Sequence, residues 1–336
     1  MIIKFQKEPG IVNSISRKSR TAKIAPSAGT VLLHKESNAL RQIRRNYGLY
    51  LFILPALIYF LVFCYYPMYG VQIAFKDFIP TMGIWGSPWV GLKHLDTFFN
   101  SYYFWVLIKN TLGISFYSII VGFPMPIILA LSLNEVKNSF FKKTLQTVTY
   151  APHFISMVVM VGMILSFLSP GTGIVNEGLK ALGMDPVYFM AKSAYFKNIY
   201  VWTGVWQGAG WGSIIYLAAL SGIDPQLHES AIIDGATHLQ RIWHINVSGI
   251  LPTMVIMLIL STGGIMSVGF EKVYLLQNPI NLETSEVIST YVYKAGLQNA
   301  RYSFSSAVGL FNSVINCIML VLVNSAAKKL NETSLW

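Results

Sequence analysis

The sequence predicts an all-α integral membrane protein with six transmembrane helices. Three observations carry that prediction. The 336 residues are 54% hydrophobic and 12% charged, with mean hydropathy +0.51, whereas soluble domains carry about 25% charged residues. Six apolar runs each approach the roughly 20 residues that a helix needs to cross a hydrocarbon core of about 30 Å. The net charge is +11, and 16 of the 25 Lys and Arg fall on one predicted side of those runs. Basic residues concentrate on the cytoplasmic side of membrane proteins, which explains this charge without nucleic acid as a partner.

Taken in order, residues 1–47 read as a basic cytoplasmic tail. No apolar core follows its basic residues, so it does not resemble a signal peptide, and targeting falls to the first span. Within the tail, 31–47 has the pattern of an amphipathic interfacial helix. Leu33, Leu40, Ile43 and Tyr47 share one side, with Arg41, Arg44 and Arg45 toward the other. Such a helix would lie on anionic membrane lipid; a solvated basic linker is the alternative. Residues 48–327 form the six-span domain. The spans are read at 49–66, with Pro55 inside, and at 105–133, 146–168, 198–220, 250–270 and 304–326. Residues 328–336 are a C-terminal tail anchored by Lys328 and Lys329. Both termini are then cytoplasmic.

The residues that could carry chemistry are few. Cys64 and Cys317 stand alone in apolar runs and give no disulfide or metal pattern. His228, His238 and His244 lack the helical spacing of a zinc pair. No catalytic constellation is present, and no GxxxxGK[ST] stretch cradles phosphate. The chain therefore has no ATP site of its own. The span interiors lack Asp and Glu, which weighs against an ion-coupled secondary carrier. A path for a polar, neutral solute is better supplied. Trp202, Trp206, Gln207 and Trp211 lie in the fourth span, Ser261 and Thr262 in the fifth, and Asn110 in the second. Aromatic faces suit the C–H faces of a sugar, and neutral hydrogen-bonding groups suit its hydroxyls. Interfacial Trp and small residues at helix contacts are the structural alternative. Lys272, Lys294 and Arg301 lie on outer segments and are compatible with an anionic substrate, although exposed basic loop residues are the preferred reading.

The most specific stretch is 224–252, DPQLHESAIIDGATHLQRIWHINVSGILP. Asp224 can cap a helix that Pro225 begins. Gly235 permits a turn or a close approach. Glu229, Ala231, Asp234, Gly235, Ala236 and Ile245 make this stretch resemble the EAA loop of permease subunits in binding-protein-dependent ABC importers, which implies that these residues and Ser230 couple to an ATPase. Two departures stand out: Ser230 replaces a small residue, and Val247-Ser248 occupies the place of a Leu-Pro that here follows at Leu251-Pro252. Asn110-Thr111-Leu112 and the segment 91–99 also resemble features of sugar-importer permeases. The stretch ESAIIDGATHLQRIWHI places the chain nearest those for oligosaccharides and polysaccharide fragments, such as maltose and alginate importers.

The resemblance implies the rest. The fold is that of a type I ABC importer permease in a bacterial cytoplasmic (inner) membrane. A second homologous permease subunit, taken to be a different chain, completes the path. Two ATPase subunits hold ATP and Mg and receive the EAA loops, and this chain binds no cofactor. An extracytoplasmic solute-binding protein delivers an oligosaccharide, with acidic fragments such as alginate the specific expectation. The chain itself is not an enzyme. Competing classes are a channel or secondary carrier for polar solutes, and an integral-membrane enzyme that modifies glycans. Neither accounts for the EAA-like loop.

Overall fold

The computed structural model describes residues 45–331. The tail and all but 45–47 of the expected interfacial helix lie outside the described residues, as does 332–336. The regular structure of the described residues is helical, joined by turns and short extended stretches, with one antiparallel bridge between Lys76 and Trp89. The chain divides into two units after Val62.

The described part of the first unit is helix α1, Tyr47–Tyr59, with Pro55 inside. Helical geometry continues through a π turn at Phe60–Tyr65 and ends at Phe75, giving a run of 29 residues.

The second unit holds the rest. A short helix α2, Lys93–Phe99, precedes α3, Tyr103–Gly122, and α4, Pro124–Glu135. Next come α5, Ser139–Tyr150, α6, Met157–Phe167, and α7, Ile174–Ala181. The long α8, Ser193–Ser221, leads to α9, Pro225–Ile233, and α10, His238–Arg241. A π turn at Ile242–Val247 joins α10 to α11, Ser248–Gly263. Three short helices follow: α12, Phe270–Leu276, α13, Leu282–Ser285, and α14, Ile288–Tyr293. The last helix is α15, Tyr302–Asn331.

Four helices among the described residues are long and apolar enough to cross a membrane: Tyr47–Phe75, Tyr103–Glu135, His238–Gly263 and Tyr302–Lys329. The bent pair Ser139–Phe154 and Met157–Phe167 makes a fifth if it is one span. Helix α8 has 29 residues, about 43 Å at 1.5 Å per residue. That length also suffices, but its Gly, Trp and Gln content keeps it less apolar than the others. Six crossings are compatible with this arrangement.

Two span boundaries differ from the expectation. The expected straight span 146–168 is a pair of helices meeting at 98°. Pro152 has no N–H to continue the ladder. Ile155 and Ser156 then turn extended, and the Ser156 hydroxyl accepts the Val159 N–H to start α6 afresh. The expected fifth span 250–270 begins earlier and stops earlier. Its helix runs unbroken from His238, with Pro252 inside, and ends at Gly263.

Helix α8 organises the packing. It lies against α3, α4, α5 and α11. Ile127, Ala130, Tyr216, Leu220 and Ile250 bury its C-terminal half. Near its N-terminus, Phe196 joins Ile114, Met160, Ile164, Val273 and Leu276 in a second core. A third core gathers Phe98, Leu107, Met266, Ile288 and Phe304. Gly210 lets α8 approach the α5 backbone so closely that a Cβ there would overlap the Thr149 carbonyl. These cores fix the walls of the cavity described next.

Candidate functional site

The stretch 224–252 builds itself from local hydrogen bonds. The Asp224 carboxylate accepts the Gln226 N–H at 2.9 Å and caps α9, with Pro225 in the first turn. Helix α9 ends at Gly235, whose φ of +76° favours glycine. There the Gly235 N–H donates to the Ile232 carbonyl at 3.1 Å, and the Ala236 N–H donates to the Ala231 carbonyl at 2.8 Å. This pair of bonds is a Schellman turn, which satisfies helix carbonyls that would otherwise be orphaned. Thr237 then caps α10: its hydroxyl accepts the Gln240 N–H, while the Gln240 amide oxygen accepts the Thr237 N–H at 2.8 Å. The Asp-Gly pair is therefore a helix end followed at once by a new helix start.

Between the end of α9 and the start of the next helix lies a hollow of about 360 Å³. Ala231, Asp234, Gly235, Ala236 and Ile245 line it, together with Arg241, whose Nε is buried without a partner. Glu229 and Ser230 are exposed and do not line the hollow. The Ser230 hydroxyl donates to the Gln226 carbonyl of its own helix at 2.6 Å. Around the hollow, Ile233, Leu239 and Trp243 are strongly exposed.

The stretch is tied to the bundle by buried Ile250 and by a carboxylate. Glu135, at the end of α4, lies 3.1 Å from His238 Nε2 and accepts a hydrogen bond from the Asn246 amide at 3.3 Å. Asn246 is buried. Nothing local in the sequence links Glu135 to residues more than 100 positions away.

The main cavity, about 570 Å³, lies where α3, α4 and α8 meet the start of α12. That size falls within the roughly 300–1,000 Å³ of small-molecule pockets. Ser118, Tyr200, Gly204, Gln207, Gly208 and Lys272 carry its polar and small-residue wall. Two smaller hollows, of about 210 and 160 Å³, share Ser118 with it, and Ser261 lines both. The Gln207 amide donates to the Ile155 carbonyl at 2.9 Å. Its remaining N–H and its oxygen stay available to a ligand.

Other residues singled out in the sequence sit elsewhere. Asn110 is buried, and its amide donates to the carbonyls of Glu283 (2.8 Å) and Glu286 (3.1 Å). The Thr262 hydroxyl donates to the Leu258 carbonyl within α11. Trp202, Trp206 and Trp211 are about half exposed and do not line the main cavity. Trp202 Nε1 donates to the Tyr117 hydroxyl at 3.0 Å, and Trp211 stacks on His153 with ring centroids 4.5 Å apart.

The segment 264–301, read as the end of the fifth span and then an outside loop from Glu271 to Tyr302, departs most from its reading. Lys272 is 4% exposed; its ammonium donates to the Tyr200 carbonyl at 2.7 Å and sits 4.8 Å from the Tyr200 ring centre. Burial pushes the Lys272 amine down from the usual lysine range to about 8. Lys294 pairs with Glu286 at 2.9 Å and donates to the Gln277 amide oxygen at 3.0 Å. Residue-by-residue pattern singled out Lys272 but missed its burial, because a lone Lys between Glu271 and Val273 reads as solvent-facing.

Both the sequence and the helical fold have counterparts among known proteins. The family model described as "Binding-protein-dependent transport system inner membrane component" matches residues 122–332. The chain belongs to this family. It is therefore a membrane-spanning permease component of such a transport system. The permease is 43% identical to the polygalacturonan/rhamnogalacturonan transport system permease protein YteP of Bacillus subtilis (strain 168). That match covers 93% of this chain and 98% of YteP. Its fold matches a chain in the crystal structure of a bacterial ABC transporter involved in import of the acidic polysaccharide alginate. The TM-score is 0.82 at 44% identity, over 88% of this permease and 99% of that chain. A bacterial alginate ABC transporter in complex with an alginate pentasaccharide-bound periplasmic protein matches with the same TM-score, at 43% identity over 88% and 99% of the two chains.

Proposed function

We propose that this permease is one of two homologous membrane subunits of an ATP-driven ABC importer for oligosaccharides, among them acidic polysaccharide fragments such as those of alginate. The observation that carries this reading is the match to the alginate importer along nearly the whole of that chain. Relatives named for polygalacturonan/rhamnogalacturonan and for arabinooligosaccharides support the same substrate class. The cavity supports it chemically, because hydroxyl, amide and glycine backbone groups line one wall and can meet sugar hydroxyls.

In this reading six spans cross a bacterial cytoplasmic membrane, and both termini lie in the cytoplasm. An extracytoplasmic solute-binding protein hands over the oligosaccharide, as the periplasmic protein in the alginate complex suggests. Two cytosolic ATPase subunits bind ATP and Mg, and this chain holds neither. The 224–252 hook enters a cleft on one ATPase. Ala231, Asp234, Gly235, Ala236 and Ile245 supply its hollow face, and exposed Glu229 and Ser230 supply rim contacts. Closing of the ATPase pair moves the hook. Glu135 passes that motion to α4 through His238 and Asn246.

The test is ATP hydrolysis by the complex in lipid, stimulated by the loaded binding protein, across neutral and acidic oligosaccharides. Stimulation by one class is the expected result. Uptake by purified permease that retains no ATPase would overturn the reading in favour of a carrier.

A further inference from the structure

The main cavity holds a buried positive charge that no carboxylate among the described residues neutralises. Lys272 is 4% exposed, yet it lines the cavity. It is in none of the ion pairs among the described residues. Glu271 lines the same cavity but is exposed and does not pair with it. An ammonium has three donors. One goes to the Tyr200 carbonyl at 2.7 Å, and the Tyr200 ring covers one side at 4.8 Å. Gly204 faces the amine closely: a Cβ there would lie 3.2 Å from Nζ. The absent side chain leaves that approach open. A desolvated cation is costly without an anion, so this arrangement favours a ligand that brings one.

We propose that Lys272 is the anion-recognising residue of this cavity. Its ammonium holds a sugar carboxylate, while Gln207 and Ser118 meet neighbouring hydroxyls. The Tyr200 carbonyl and ring fix the amine on the wall between α8 and α12. This inference rests on the oligosaccharide-import reading. It adds the residue that makes an acidic sugar preferred over a neutral one of the same shape.

The experiment compares uptake of a short uronic-acid oligosaccharide with uptake of the same oligosaccharide methyl-esterified. It uses the complete complex in liposomes with one binding protein at saturation. Because the binding protein is unchanged, a difference between variants reports this subunit. Lys272→Gln keeps a donor for the Tyr200 carbonyl and removes the charge; Lys272→Met removes both. Loss of a charge-assisted hydrogen bond should lower the acid-to-ester preference roughly tenfold to hundredfold, with ester uptake retained. An unchanged preference, or an equal fall for acid and ester, overturns the role. Failure of both variants to assemble makes Lys272 a structural strut and also overturns it. A wild-type complex that takes up neither form overturns the import reading, and this inference with it. Wild-type uptake without any charge preference overturns the Lys272 role alone.

Discussion

The hook 224–252 and the segment 264–301 are both short-helical connections between long helices, yet they are held in opposite ways. The hook closes its helix ends with local hydrogen bonds, and Glu135 is its polar tie to the bundle. Asp224 caps Gln226, Thr237 caps Gln240, and Ala236 reaches back to Ala231. Its apolar side chains remain largely exposed. The segment bonds to distant parts of the chain. Asn110 reaches the Glu283 carbonyl across 173 positions, Asn278 donates to the Met190 carbonyl, and Thr284 donates to the Ser193 carbonyl. Lys272, Asn281, Ser285, Glu286 and Thr290 are buried. A self-contained element can move as a unit when something pulls it. An element bonded into several helices serves better as a fixed wall.

Substitutions should separate the two regions, with the largest stability losses in the wall. Lys294→Met strands Glu286, whose side chain is 12% exposed. Breaking a fully buried pair costs about 3–5 kcal/mol; the cost here should be smaller because Lys294 is 27% exposed. A clear fall in melting temperature of the purified permease is expected. No fall would mean that the polar network does not hold the wall.

Asn110→Ala leaves the Glu283 and Glu286 carbonyls without these donors. Each buried group left unsatisfied costs about 1–3 kcal/mol. The same melting measurement should show a drop, and the segment should exchange its amide hydrogens faster. Exchange confined to α3 would place the damage elsewhere.

Gly235→Val should act differently. Nothing lies within 4 Å of a Cβ at that position, so no clash results. The left-handed conformation costs a non-glycine residue about 1–2 kcal/mol, and the strain falls on the Schellman turn. The variant should be recovered in normal yield, while ATP hydrolysis becomes uncoupled from uptake. Normal uptake would sink the coupling role of the hook.

Thr237→Ala removes one cap of a short exposed helix. The expected cost is about 1 kcal/mol or less, the smallest of the four. Measured coupling should fall only partly. A stability loss as large as that of Lys294→Met would erase the contrast between the regions.

The same contrast explains what was legible beforehand. Asp224-Pro225 announces a helix start because the cap and the first helical residue are neighbours in sequence. Asp234-Gly235 announces a chain reversal because one φ angle decides it. Helical spans were legible from apolar length. Their interruptions were less so: Pro152 and the Ser156 cap mark a break, but neither its 98° angle nor the early end at Gly263 follows from apolar length. Lys272 looked like a surface residue because its neighbour in sequence is Glu271, whereas its neighbour in space is Tyr200.

By itself, then, the sequence determined an all-helical membrane-spanning chain, its apolar runs and the self-capped hook that marks its family. Those features depend on composition and on groups within a few positions of one another, where local hydrogen bonds and hydrophobic length dominate. Tertiary structure alone decided that Glu135 meets His238 and Asn246, that Asn110 anchors the wall, and that Lys272 faces a cavity instead of water. Each of these joins groups more than 70 positions apart. Only the packing of α3, α4, α8 and α12 brings them within hydrogen-bond reach.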